Sequence, residues 1–258
     1  MNGQKGFEIK LTDERNLKPS NIPTKETIVL RTKLLPQDII EILDKKKTSF
    51  FGSALRRPKS DEITVETPQL YLEQYVFILG HYEIDFDRNA SYMIKVDPDV
   101  VEVAIGTKKF PVLNESGVWK KFGKKMKQGV GITKQDLELN VTENAVKSMT
   151  DSMYFDHNGL ETTFDYSTDS DAVENFVQNV LDVNKSHTRK IKMTNNELFS
   201  KLFHKLKESL KHDLIINHEE YVVTKFQEIF VPIYETKCYD EKNKVVVARV
   251  DAVTGKII

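Results

Sequence analysis

Residues 74–97 read QYVFILGHYEIDFDRNASYMIKVD, and residues 227–251 return to the same outline as QEIFVPIYETKCYDEKNKVVVARVD. A glutamine opens each stretch, aromatic residues recur at nearly the same intervals, and a basic residue followed by Val-Asp closes it, with one residue inserted. A repeated run of β-branched and aromatic residues indicates a supersecondary unit that occurs more than once. We therefore expect one α+β building block in two copies.

The first copy is predicted to contain a strand, a helix and three antiparallel strands. β-Branched residues favour a strand over 27–35, and Pro36 suits the first turn of a helix because its missing N–H costs nothing there. Strands are then predicted over 62–72, 75–86 and 91–105, with a tight turn at Asp87-Arg88-Asn89 between the last two.

The second copy is predicted to follow the same order. A short strand over 189–193 precedes Thr194 and Glu197, which form a capping box in which each side chain satisfies a free backbone N–H of the other residue. An apolar stripe at helical spacing follows, formed by Leu198, Phe199, Leu202, Phe203, Leu206 and Leu210. Strands are predicted over 214–225, 229–239 and 244–250, and Thr254-Gly255 is a turn signal after which the last residues pair back on the sheet.

The residues between the two copies differ from them in charge. Residues 118–134 carry six lysines and no acid, whereas residues 136–184 contain eleven acidic residues against Lys147 alone. Within the acidic part, Asn158-Gly159 is a hairpin signal because both turn positions tolerate positive φ. Asp171 is predicted to cap a further helix.

These patterns predict an α+β fold in which two similar strand-helix-antiparallel-sheet units, an internal duplication, flank a charged helical and hairpin insert. Residues 1–24 are predicted to be a flexible arm, because no apolar periodicity appears there. Residues 25–112 form the first unit, residues 113–187 the insert with a basic helix, an acidic hairpin and a helix, and residues 188–258 the second unit.

Composition limits the class of protein. The chain has 258 residues, of which 30% are charged and 39% hydrophobic, with a net charge of -1. This balance is typical of a soluble globular protein. No apolar run reaches the roughly 18 residues that span a bilayer, and no secretory signal is recognisable near Met1, so we expect a cytoplasmic protein. Cys238 is the sole cysteine, which excludes an intramolecular disulfide and a multi-cysteine zinc site.

The last ten residues, Arg249-Val250-Asp251-Ala252-Val253-Thr254-Gly255-Lys256-Ile257-Ile258, resemble the closing strand of PepSY-type modules. In these small domains a helix packs on an antiparallel sheet that ends in a similar turn. The resemblance implies a non-catalytic interaction module. The first copy departs from the pattern, because residues 97–101 contain neither the threonine nor the glycine.

Motifs that would indicate catalysis or metal binding are incomplete. His204, Glu208 and His212 follow helical spacing, but they share their ridge with lysines that would repel a cation, so a solvated face is the preferred interpretation. Gly129-Val130-Gly131 lacks the third glycine of a dinucleotide loop. We predict no catalytic residue, no cofactor and no metal.

Two basic segments are the candidate binding residues. They could neutralise phosphates while aromatic side chains stack on bases, or they could contact a protein; alternatively the aromatic residues pack inward, and the acidic insert covers the lysines. The candidates are Lys45, Lys46, Lys47, Arg56, Arg57, Lys59, Trp119, Lys120, Lys121, Lys124, Lys125 and Lys127.

The sequence therefore predicts a non-catalytic recognition or adaptor protein that binds a protein partner through a sheet edge or through the basic loop and helix. The first alternative is association with nucleic acid or the ribosome through the basic residues. The second is a small-molecule enzyme with a pocket between the two units. The oligomeric state stays open.

Overall fold

The computed structural model describes residues 17–52, 57–97, 99–112, 135–173, 177–210 and 214–258. In these residues the protein has a mixed α+β fold, which confirms the predicted class. The helices are α1 (Pro36–Asp44), α2 (Val177–Val183) and α3 (Asn195–Lys207). The strands are β1 (Glu26–Val29), β2 (Ile63–Val65), β3 (Gln69–Val96), β4 (Glu102–Ile105), β5 (Lys108–Pro111), β6 (Gln135–Phe155), β7 (Glu161–Thr162), β8 (Thr188–Arg189), β9 (Ile215–Asp240) and β10 (Val245–Asp251).

The described strands form one large sheet and one small hairpin. The large sheet follows the order β1-β9-β3-β6-β7, with β10 and β2 also paired with β9 and β8 paired with β3, while β4 pairs with β5 alone. β1 lies parallel to β9, and β8 lies parallel to β3. The short strand that begins each predicted copy thus pairs with the long strand of the other copy. The internal duplication itself is not shown by this arrangement and stays a prediction.

The described chain divides into two compact units that are discontinuous in sequence. The strand unit contains residues 84–97, 99–112, 135–147 and 214–219, and the helix unit contains residues 17–52, 57–83, 148–173, 177–210 and 220–258. β3, β6 and β9 contribute residues to both units. The four contiguous segments predicted from composition stay a prediction, and residues 135–155 of the predicted insert form β6 of the large sheet.

Helix α3 begins as the sequence predicts. The Thr194 side chain accepts a hydrogen bond from the backbone N–H of Glu197, and the Glu197 carboxylate accepts one from the backbone N–H of Thr194 at 2.7 Å. Five residues of the apolar stripe are buried, namely Leu198, Phe199, Leu202, Phe203 and Leu206. A Cβ at Gly80 would lie 2.8 Å from Leu202 Cδ2, so the helix approaches β3 closely at this glycine.

Helix α1 is held at its start and along one face. The backbone N–H of Leu35 donates to the Asp38 carboxylate at 2.7 Å, just before Pro36. Ile39 and Leu43 are fully buried and belong to a core cluster with residues of β9 and β10. The predicted helix is therefore confirmed, together with the face that it buries.

Both predicted glycine turns are present. Gly159 has φ 81° and its N–H donates to Asp156 O at 2.9 Å, between the paired strands β6 and β7. Gly255 has φ 75° and its N–H donates to Asp251 O at 2.8 Å. Ile257 then forms a bridge with Val250, so the last residues pair back on the sheet as predicted.

The predicted turn at Asp87-Arg88-Asn89 is wrong, because β3 continues through it for 28 residues. Side chains across the neighbouring strand hold these residues extended. Asp87 accepts a hydrogen bond from Asn144 at 3.1 Å, and Arg88 Nε lies 2.8 Å from a Glu143 carboxylate oxygen. Side chains of β6 therefore supply the hydrogen-bond partners that allow this polar segment to stay in the strand.

The predicted break between 225 and 229 is also wrong, because β9 is continuous over 26 residues. Gln227 is buried and its amide donates to the Glu26 carboxylate at 2.6 Å. Glu228 accepts hydrogen bonds from Lys25 at 2.6 Å and from Gln74 at 2.9 Å. Partners on β1 and β3, and at Lys25 just before β1, thus allow polar residues inside the strand.

Two predicted element starts are corrected as well. Residues 60–62 form a 3₁₀ turn, so the strand predicted over 62–72 begins one residue later, at Ile63. It is also interrupted, because β2 ends at Val65 and β3 begins at Gln69. Asp171 does not cap α2; its carboxylate binds Lys33 at 2.7 Å, and the next residue, Ala172, forms a bridge with Leu30. This bridge holds residue 172 in extended backbone, which is incompatible with the first turn of a helix. No helix in the described part of the chain is both long and apolar enough to cross a membrane.

Candidate protein-binding edge

The structure places the predicted basic residues only in part. Lys45, Lys46, Arg57 and Lys59 are exposed. Lys47 is buried, and its Nζ lies 2.8 Å from the Asp44 carboxylate and 3.0 Å from Ile63 O. Arg56, Trp119, Lys120, Lys121, Lys124, Lys125 and Lys127 lie outside the described residues. A binding role for the basic residues stays a prediction.

Of the predicted ridge of His204, Glu208 and His212, the structure describes the first two residues. His204 is exposed, and its Nδ1 lies 2.7 Å from Ser200 O, one turn earlier in α3. His212 lies outside the described residues. Within the described ranges, no three His, Cys, Asp or Glu side chains lie close enough together to hold a metal ion.

An ionic cluster around a buried carboxylate, which the sequence did not indicate, lies in the helix unit. We define the Glu73 cluster as Glu73, Arg189, Glu235 and Arg249. The Glu73 side chain is 2% exposed and accepts hydrogen bonds from Arg189 Nη1 at 2.9 Å and from Arg249. Arg189 Nη2 also donates to Glu235 at 2.7 Å. Two carboxylates and two guanidinium groups therefore join β3, β8, β9 and β10.

A tyrosine and an aspartate are paired in the same unit. Tyr166 donates its hydroxyl hydrogen to the buried Asp251 carboxylate at 2.5 Å. Burial, followed by this hydrogen bond and the negative charge of Asp251, raises the pKa of Tyr166 above its usual 10.0. The other Asp251 oxygen accepts from the backbone N–H of Val253 at 2.7 Å, so the pair fixes the closing turn.

This pairing predicts loss of stability in alkali. In the unfolded chain Tyr166 ionises near its usual pKa, whereas the folded protein keeps it neutral, so its contribution is complete below about pH 10 and decreases as the pH rises further. We expect the Tyr166→Phe variant to lose less free energy of unfolding between about pH 8 and about pH 10.5 than the wild type. Urea denaturation at the two pH values measures this, and an unchanged difference would contradict it.

Two open grooves run along α3, with volumes of about 410 and 510 Å³. Lys201, which lines both, donates to Gly159 O at 2.9 Å, and Lys205 donates to Ser152 O at 3.1 Å. Both lysines therefore join the helix to the β6–β7 hairpin. The geometry gives these cations a structural role.

The outer edge of β6 is the candidate site. β3 pairs with one edge of β6, and β7 pairs with the other edge only at Tyr154 and Phe155. Among the described residues, no strand pairs with that outer edge over 137–153. We call residues 137–147, the part in the strand unit, the β6 edge. Unpaired edges of this length are templates for another strand.

The backbone orientation along the β6 edge follows from the hairpin. Asp156 N–H donates to Leu160 O at 3.0 Å across the hairpin, and Ser152 O accepts from Lys205. Even-numbered residues therefore direct N–H and C=O toward the outer edge, because the two directions alternate along a strand. Side-chain exposure also alternates without interruption from residue 138 to residue 150, so this part of the strand contains no bulge that would shift the pattern. The N–H and C=O of Thr142 therefore point toward the outer edge.

Side chains on β3 hold the β6 edge in place. The Thr142 hydroxyl donates to Asn89 at 3.3 Å, Ser91 donates to Asn140, and Asn144 donates to Asp87. The odd-numbered residues form the opposite face, where Leu137 is buried and Leu139, Val141 and Ala145 are half-buried. The edge is therefore an ordered amphipathic strand.

Comparison of the chain with known protein families, curated proteins and solved structures finds no match. The PepSY resemblance therefore stays a prediction. Residues 137–142 alternate apolar and polar side chains in LELNVT, and this pattern is the signal from which β6 could have been predicted.

Proposed function

We propose that the protein is a non-catalytic recognition protein that binds a partner protein by strand addition at the β6 edge. The observation that carries this proposal is the unpaired outer edge over residues 137–147 in the described sheet. Outward backbone groups supply affinity in strand addition, and alternate side chains supply specificity. This proposal selects the sheet edge from the two binding modes that the sequence suggests.

The β6 edge also defines the chemistry of the partner. An added strand continues both faces of the sheet, so its side chains alternate between the face of Leu139 and Val141 and the face of Asn140 and Thr142. The partner segment is therefore extended, with apolar residues at every second position and small polar residues between them. Because β3 already orders the edge, little conformational entropy remains to be lost on binding.

A proline substitution tests the edge directly. The Thr142 N–H points outward, so Thr142→Pro removes an outward donor and leaves the backbone hydrogen bonds to β3 intact. Of the side-chain contacts with β3, it removes the long hydrogen bond from the Thr142 hydroxyl to Asn89, at 3.3 Å. We expect this variant to lose binding at least tenfold while its circular dichroism spectrum and midpoint of unfolding change little. The measurement is affinity capture with the tagged full chain, followed by titration of the captured protein and hydrogen exchange of the amides over 137–147.

The matched control lies on β10. Arg249 O and Asp251 N–H point to the outer side of β10, where Ile258 and Lys256 meet them, so the Val247 N–H also points outward. Val247→Pro removes an outward donor from a different edge, and we expect it to bind as the wild type does. Binding that survives Thr142→Pro, or that is lost only in Val247→Pro, would overturn the assignment to β6.

The nucleic-acid alternative keeps one supporting observation. Lys45, Lys46, Arg57 and Lys59 are exposed within fifteen residues of chain. Their charges could neutralise phosphates. Lys47 adds little to such a surface, because its side chain is 11% exposed and its charge is paired with the Asp44 carboxylate.

A further inference from the structure

We infer that the strand added to the β6 edge is β6 of a second copy of this chain, in antiparallel pairing about Thr142. This inference rests on the proposed function and names its partner. The partner strand required above is extended, with apolar residues at every second position and small polar residues between them. Residues 137–146, LELNVTENAV, have nearly this pattern, with Glu143 interrupting the apolar positions. The edge therefore carries a strand of the kind that it binds.

Pairing about Thr142 gives every side chain of the β6 edge a cross-strand neighbour. Thr142 lies opposite Thr142 of the second copy, and paired threonines stabilise antiparallel strands. Asn140 lies opposite Asn144, and Leu139 opposite Ala145. The remaining pairs are Glu138 with Val146, Val141 with Glu143, and Leu137 with Lys147. All eleven residues find a partner, and no two like charges lie directly opposite each other.

The two neighbouring registers have different consequences. Pairing about Glu143 would place two carboxylates directly opposite each other, which is destabilising. Pairing about Val141 would place Thr142 opposite Asn140, so Thr142 and Asn140 would each lie two residues from their own counterparts, and the cross-linking test below separates this register from pairing about Thr142. In the Thr142 register the two Glu143 side chains are only diagonal neighbours, and each is paired with Arg88 of its own chain at 2.8 Å.

The backbone supports the same register. The outward N–H and C=O groups belong to even-numbered residues, so five hydrogen-bonded pairs form between residues 138 and 146 of the two strands. Each such pair exchanges two hydrogen bonds, which gives about ten across the interface. That number is about the average for a specific protein–protein interface.

Cysteine cross-linking tests both the partner and the register. Opposite Cα atoms in an antiparallel pair are about 4.5–5.5 Å apart, within the range that a disulfide bridges. Thr142→Cys should therefore give a covalent dimer on mild oxidation of the full chain. Asn140→Cys is the matched control, because it is equally exposed but lies four residues, roughly 14 Å, from its own counterpart. Cys238 is buried, so the wild type should not cross-link.

The readouts are a non-reducing gel and sedimentation equilibrium of the unoxidised protein. We expect a concentration-dependent dimer, at least tenfold more cross-linking for Thr142→Cys than for Asn140→Cys, and a monomer for Thr142→Pro. A monomeric wild type, or equal cross-linking of the two cysteine variants, would overturn the inference. If the wild type is monomeric but captures a different protein that Thr142→Pro releases, this inference fails and the proposed function stands. If neither self-association nor capture of another protein depends on Thr142, both this inference and the proposed function fail.

Discussion

Replacing Glu73 by alanine should reduce the free energy of unfolding by about 3–5 kcal/mol, the range for removing one partner from a buried ion pair. The Glu73 carboxylate is buried and accepts hydrogen bonds from both Arg189 and Arg249. Without it, two guanidinium groups compete for Glu235, which lies 2.7 Å from Arg189 Nη2 and 3.9 Å from Arg249 Nε. Urea denaturation of the full chain measures the loss.

A surface ion pair provides the control for this prediction. Glu161 lies 3.3 Å from Lys205 Nζ, and its side chain is 55% exposed. Glu161→Ala should therefore cost at most about 1 kcal/mol. If Glu73→Ala cost no more than Glu161→Ala, the Glu73 cluster would not hold the four strands together, and its role would have to be reassigned.

The helices were predictable because their signals are local. Thr194 and Glu197 define the start of α3 within four residues, and Pro36 defines the start of α1. The turn at Gly159 follows from the same short-range logic, since a residue with positive φ is needed there. In each case the residues that decide the structure are neighbours in the sequence.

The lengths of β3 and β9 could not be predicted, because the deciding partners are distant in sequence. Asp87 and Arg88 favour a turn until Asn144 and Glu143 are placed beside them. Gln227 indicates a break until Glu26 is seen to accept its hydrogen bond. A single sequence does not contain these pairings, so polar residues inside long strands read as turns.

The sequence suggested the kind of candidate site, a sheet edge, but not the strand that provides it. The residues of β6, 135–155, were assigned to the insert predicted over 113–187, because the acidic composition hid the alternation of Leu137, Leu139 and Val141. The Glu73 cluster could not be predicted either, because its members are also distant from one another in the sequence. Its four members come from β3, β8, β9 and β10, which only the fold brings together.

Truncation of Phe203 should have an effect of similar size on α3. Phe203 is 2% exposed, and its ring centroid lies 5.3 Å from those of both Tyr82 and Tyr221. Phe203→Ala removes these contacts and leaves a cavity between the helix and the sheet, which should cost about 3–5 kcal/mol. Urea denaturation measures the loss, and hydrogen exchange should show faster exchange along α3 than in the wild type.

Two variants show whether the loss comes from packing. Phe203→Leu keeps much of the buried volume, so it should cost roughly half as much as Phe203→Ala. His204→Ala changes the next residue, which is exposed, and should alter the free energy of unfolding by about 0.5 kcal/mol or less. Equal losses for Phe203→Ala and His204→Ala would mean that α3 contributes through its own helical propensity, because a packed helix must distinguish its buried face from its exposed one.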